Sequence, residues 1–270
     1  MGKFYFSDDK GISYSITGKG DTIVLIHGYL ETKEIWNEFA KKLSSDFRIL
    51  SIDLPGHGNS DITKVDGNLD IIAELIYRLL KHLGIKKIFL TGHSLGGYIT
   101  LAFAEKYPEM LSGFCLFHSH PFADTESAIS KRKNEIILTK QGKKDQFYPE
   151  NIINMFASSG REALREKIKD SLKIASGISD EGIISVLEGM MARPSRHWLM
   201  EEGKIPCLWI LGVKDNYINC QSVCQRINLP QNSKICLLQN SGHMGFIEEE
   251  DLSVKILTEF IKENAKGIDQ

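Results

Sequence analysis

Two rhythms of apolar residues alternate along the chain. Residues 22–28, TIVLIHG, form a continuous apolar run ending in glycine. That is the pattern of a strand covered on both faces. Behind it Ile35, Trp36, Phe39, Ala40 and Leu43 recur at helical spacing, which predicts a helix over 33–43. Residues 47–60 read as a strand followed by a glycine-rich loop, and 69–83 as a helix ended by Gly84. A strand over 86–91, a helix over 94–107 stopped by Pro108, and a strand over 112–118 continue the series. At the amino end, 3–7 and 11–17 read as short strands, with 18–21 as a hairpin turn between strands.

The alternation breaks after His118. Residues 119–203 carry helical patterns and no strand pattern. It resumes with the strand IPCLWILG at 205–212, a helix near 222–227, a strand at 234–238 and a long helix over 246–264. Repeated strand–helix units imply an α/β fold: a mostly parallel, twisted, eight-stranded sheet flanked by helices. The all-helical stretch reads as an inserted cap. Residues 1–118 and 204–270 would form the core and 119–203 the cap. Open sheets of this kind bind ligands beyond the carboxyl ends of their strands, so reactive residues just after strands matter most.

Three positions meet that condition. Ser94 lies in Gly92-His93-Ser94-Leu95-Gly96, a G-x-S-x-G sequence where a strand turns into a helix. Glycines two residues before and after let the backbone turn tightly and aim the hydroxyl out of the sheet. The bland alternative is a helix N-cap, which does not require glycine at both offsets. Asp215 follows the strand over 205–212, in LGVKDNYI. His243 follows the strand at 234–238, in NSGHMGF. The chain order Ser, Asp, His is that of nucleophile-elbow hydrolases and differs from both common protease orders.

These residues, with HGY at 27–29 and DLPGHGNS at 53–60, make the chain resemble the α/β-hydrolase fold family over nearly its whole length. The resemblance implies roles. Ser94 would attack a carbonyl, His243 would carry its proton, and Asp215 would orient the imidazole. Backbone amides of Tyr29 and Leu95 would form the oxyanion hole. Serine at the nucleophile position argues against the dehalogenase and epoxide-hydrolase branches. Some members carry the acid after the strand that precedes the cap, where the first acidic residue here is Asp124.

The remaining chemistry narrows the reading further. A net charge of -2, with 42% hydrophobic and 25% charged residues, suggests no nucleic-acid or membrane partner. The start of the chain shows no secretory signal and no run is long enough to span a membrane, so the expectation is a cytoplasmic protein. The five cysteines form no CxxC pair, and Cys220 and Cys224 lack companions for a metal set. No metal and no cofactor are expected, since zincin, GxGxxG and Walker patterns are absent. His27 and His57 are expected to bond the backbone of their loops. His118, His120 and Trp198 are candidate substrate contacts. The basic run at 131–145 reads as a solvated helix face, and EEED at 248–251 as acidic residues suited to a helix dipole. The expected activity is hydrolysis of a small-molecule carboxylic ester through an acyl-enzyme. Lactone, amide or C–C hydrolysis stands as the alternative, the last with Arg193 and Arg196 as candidates to hold a second carbonyl or carboxylate. A ligand-binding receptor that keeps the triad without turnover is the alternative from another class.

Overall fold

The computed structural model describes residues 1–7, 9–62 and 68–265. The parts of the expected core at 8, 63–67 and 266–270 lie outside the described residues. The core opens with β1 (Gly2–Tyr5), β2 (Gly11–Thr17), β3 (Thr22–Ile26), a 3-10 turn at Lys33–Trp36, α1 (Asn37–Leu43) and β4 (Arg48–Ile52). Then come α2 (Leu69–His82), β5 (Ile88–His93), α3 (Leu95–Lys106) and β6 (Leu111–Phe117). Between β6 and β7 the described chain builds helices and no strand: α4 (Glu126–Lys140), α5 (Tyr148–Met155), α6 (Arg165–Ser176), α7 (Asp180–Ala192) and α8 (His197–Glu202). The core closes with β7 (Cys207–Gly212), α9 (Cys220–Cys224), β8 (Lys234–Leu238), α10 (Gly245–Glu248) and α11 (Glu250–Ala265).

The eight strands form one sheet in the order β1-β2-β4-β3-β5-β6-β7-β8. Every pairing from β4 through β8 is parallel, while β1–β2 and β2–β4 are antiparallel. All residues of β3 and β5 are buried, as the continuous apolar runs require of central strands. Helix α3 packs under the sheet with Leu95 through Ala104 all buried, so it carries no polar face. Helix α2 shows the opposite pattern: Leu69, Ile72, Ala73, Ile76, Leu79 and Leu80 line one buried face. Asn68 caps it by accepting from the Asp70 amide. Among the described residues, no helix is long and apolar enough to cross a membrane.

Two expectations need correction. Residues 18–21 do not join paired strands, because β4 inserts between β2 and β3. Local turn chemistry says nothing about which strand later fills that place. The true hairpin joins β1 to β2. The last helix is also broken, between α10 and α11, at Glu249. Its carboxylate accepts from the Asn240 amide at 2.9 Å and the Ser241 hydroxyl at 2.6 Å. These bonds hold the glutamate against the preceding loop and out of the helical path.

Candidate active site

Ser94 sits at the junction of β5 and α3 with φ 48° and ψ −112°. A non-glycine residue there is strained and persists only where its surroundings enforce it. Those surroundings are visible. The Ser94 amide donates to the Phe117 carbonyl at 3.0 Å, and its carbonyl accepts from Gly97 N and Ser119 Oγ at 2.9 and 2.7 Å. A Cβ on Gly92 would lie 2.2 Å from Gly96 O, and one on Gly96 would lie 2.4 Å from Ile26 O. Both glycines are therefore steric requirements of the close strand–helix approach. The side chain of Ser94 makes no capping hydrogen bond, so the N-cap reading fails.

Asp215 lies in the loop after β7. Its Oδ1 accepts from the amides of Tyr217 and Ile218 at 2.7 and 3.0 Å. Its Oδ2 is 2.7 Å from His243 Nδ1, with both side chains buried. Burial alone would raise this carboxyl, but the charge and hydrogen bonds of His243 and His118 outweigh it and hold it well below the usual carboxylate range. An ionised Asp215 fixes the His243 proton on Nδ1 and leaves Nε2 as the accepting nitrogen. Ser94 and His243 both line one cavity of about 610 Å³. Asp124 instead binds Arg132 and Arg193 and makes no recorded contact with His243.

The amides of Tyr29 and Leu95 have no protein acceptor among the described residues. Leu95 is the first residue of α3, where amides are left unpaired and the helix dipole favours negative charge. The Tyr29 loop is held from three sides. Asp53 accepts from the Lys33 amide and ammonium at 2.8 and 2.6 Å. His27 Nε2 accepts from the Leu54 amide at 3.0 Å. Glu31 Oε2 accepts from the Gly28 amide at 2.6 Å and faces His93 Nδ1 at 2.9 Å. His93 Nε2 lies 2.8 Å from the His243 carbonyl, which can only accept. His93 thus bridges the Tyr29 loop, the serine turn and the His243 loop. His57 bonds the Pro55 carbonyl, and burial pushes its pKa down to about 3.

The other candidates separate clearly. His118 is fully buried behind the Asp215–His243 pair and does not line the cavity. Its Nε2 is 3.0 Å from the Gly245 amide and its Nδ1 is 3.0 Å from the Gly212 amide. Burial lowers its pKa to about 4. It is a wall, not a substrate contact. Trp198 is on α8, 37% exposed and away from the cavity, so it too is no substrate contact. His120 does line the cavity; its Nδ1 accepts from the Phe122 amide at 3.2 Å, and its Nε2 is 3.3 Å from Tyr98 Oη. Arg196 turns outward to Asp70 and Glu105.

His118, Asp215 and His243 bring ligand-type atoms within 4.8 Å of one another. Asp215 already faces His243 Nδ1 and the Tyr217 and Ile218 amides, and both His118 nitrogens lie 3.0 Å from backbone amides, an arrangement that suits proton handling better than a cation.

Several lining residues escaped the sequence reading. Tyr29 Oη donates to Glu135 at 2.9 Å, and Asn151 Nδ2 donates to the same carboxylate at 3.0 Å. Tyr217 packs its ring 5.2 Å from that of His243. Lys131 and Arg132, taken as part of a solvated face, line the cavity. The signal was available in part: Arg132 precedes Ile136 by one helical turn, and Ile136 is buried. Glu248, expected only to suit a dipole, accepts from the amides of Ala157, Gly242 and Met244 at 2.7, 2.8 and 3.1 Å.

Known proteins share this architecture. A 27% identical relative in Bacillus subtilis (strain 168) carries the provisional name 2-succinyl-6-hydroxy-2,4-cyclohexadiene-1-carboxylate synthase, with 97% of this chain and 99% of that one aligned. A thermophilic esterase from Thermogutta terrifontis superposes with a TM-score of 0.89 at 22% identity, covering 98% of this chain and 99% of that one. The enol-lactonase from Burkholderia xenovorans LB400 does so with a TM-score of 0.85 at 19% identity, covering 94% and 98%. At these identities the two structures show a shared fold. The family model for the alpha/beta hydrolase fold matches residues 21–159, from β3 through the serine turn and into the helical insertion, and the chain belongs to that family.

Proposed function

We propose that this protein hydrolyses a small-molecule carboxylic ester, with Ser94 as nucleophile, His243 as general base and Asp215 as the acid that orients it. One observation carries the reading. A serine held at positive φ faces the same cavity as a histidine whose other nitrogen is fixed by a buried carboxylate. In this reading His243 Nε2 takes the Ser94 proton as Oγ attacks the carbonyl. Negative charge developing on the carbonyl oxygen meets the amides of Tyr29 and Leu95. His243 then protonates the leaving alcohol, and water resolves the acyl-enzyme by the same path reversed.

Residues 119–203 act as the cap that roofs the site. A cavity of about 610 Å³ suits a small molecule. A lactone would follow the same steps. The end-to-end relative named as a synthase favours a second reading, in which the same residues serve formation of a ring carboxylate.

Turnover of short-chain p-nitrophenyl esters by the wild type and Ser94→Ala tests the proposal. Replacing Ser94 should lower kcat by about 10⁴-fold or more while the fold persists. Full activity in Ser94→Ala would overturn the assignment. Stabilisation by a ligand without any turnover would favour a receptor instead.

A further inference from the structure

Asp124 carries two guanidinium groups. Arg132 reaches it through Nε and Nη2 at 2.6 and 3.3 Å, and Arg193 Nη1 lies 2.8 Å away. One carboxylate balances one of them, so the cluster holds a formal excess of one positive charge. The surrounding charges are mixed, with Glu135 and Glu150 lining the same cavity as Lys131 and Arg132. Glu135 faces Lys131 at 4.0 Å and accepts from Tyr29 and Asn151. Glu150 is exposed. Arg226, also exposed, stacks on Phe122 at 3.5 Å and adds a further cation nearby.

The two arginines are held differently. Arg193 is buried, donates to the carbonyls of Met190 and Phe122 at 2.5 and 3.0 Å, and lies 3.6 Å over the Tyr98 ring. It is part of the frame. Among the described residues Arg132 hydrogen-bonds Asp124 alone, and its Nη1 has no acceptor. It lines the cavity that holds Ser94. Tyr98 lines the same cavity. His120 Nδ1 accepts from Phe122, so its proton sits on Nε2 and points to Tyr98 Oη. The tyrosine proton is then left for another acceptor. One guanidinium nitrogen and one hydroxyl on the same cavity, both without acceptors among the described residues, make a site for an anion with two oxygens.

We propose that Arg132 and Tyr98 bind a carboxylate on the substrate, so that the preferred ester is a monoester of a dicarboxylic acid or another carboxylate-bearing ester. The proposal rests on Ser94-dependent hydrolysis for its kinetic form and on binding alone for its simplest form.

The test compares p-nitrophenyl hemiglutarate with p-nitrophenyl butyrate, and measures glutarate binding by calorimetry. The wild type should favour the anionic ester. Arg132→Gln should erase that preference, with the ratio of kcat/KM values falling about 10- to 100-fold, mainly through KM for the anionic ester. The Asp124–Arg193 pair survives in this variant, which preserves the local frame. Tyr98→Phe keeps the ring under Arg193 and should lower the same ratio by less, so the test stands even if Arg132→Gln misfolds. Glutarate should bind the wild type and bind these variants more weakly. Equal loss for both esters would assign Arg132 a structural role only and overturn the proposal. Equal rates for both esters in the wild type, or glutarate binding insensitive to Arg132 and Tyr98, would do the same. If neither ester turns over but glutarate binding depends on Arg132, the hydrolase reading fails and the carboxylate site stands.

Discussion

Glu31 Oε2 lies 2.9 Å from His93 Nδ1, with neither side chain reaching solvent. Burial works against the Glu31 carboxylate, yet the imidazole and the Gly28 amide hold its pKa below the ordinary value. Such a pair adds little net stability but is costly to break from one side. Glu31→Ala would leave a donor facing nothing and should cost about 3–5 kcal/mol. Glu31→Gln keeps an oxygen that can accept from both the Gly28 amide and His93, so it should cost less. Urea unfolding of the two variants checks this, and equal losses would contradict it. Glu31 raised no signal in the sequence. A glutamate three residues after a glycine has no visible partner until the fold brings β3 beside β5.

At the scale of elements, the helix–loop boundaries carry the site. The serine turn was legible because glycine at two fixed offsets has a steric cause that acts within a few residues. Asp215 and His243 were legible because each directly follows an apolar strand. The break between α10 and α11 was not, since it depends on hydrogen bonds that Glu248 and Glu249 accept from a loop and from Ala157 across the molecule. Burial pushes the Glu248 carboxyl up, yet three amides face it. Glu248→Ala should leave those amides unpaired, cost about 1–3 kcal/mol and lower kcat by loosening the His243 loop. Chemical denaturation alongside steady-state rates reads both effects. Wild-type values for each would show that this clamp is dispensable. The helical insertion was the least legible part, because it meets the cavity through polar residues whose partners lie elsewhere in the chain, Asp124 for Arg132 and Tyr29 for Glu135.

Across the whole molecule, buried histidines set the acid limit. His57 and His118 are fully buried with pKa values lowered to about 3 and about 4 from 6.5. The unfolded chain binds their protons below pH 6.5 and the folded chain does not. Their contribution is therefore fully present above 6.5 and is lost as pH falls toward 4, at up to about 1.4 kcal/mol per pH unit for each group. A urea midpoint that falls steadily over this window is expected; a flat one would contradict the burial of neutral imidazoles.

The central claim is that Ser94 is the nucleophile, activated by His243 and Asp215. Its most direct measurement is peptide mass spectrometry after treatment with a fluorophosphonate. The account predicts one adduct per chain, located on Ser94, lost in Ser94→Ala and formed much more slowly in Asp215→Asn. An unmodified Ser94 in folded protein, or an adduct that persists in Ser94→Ala, would contradict it.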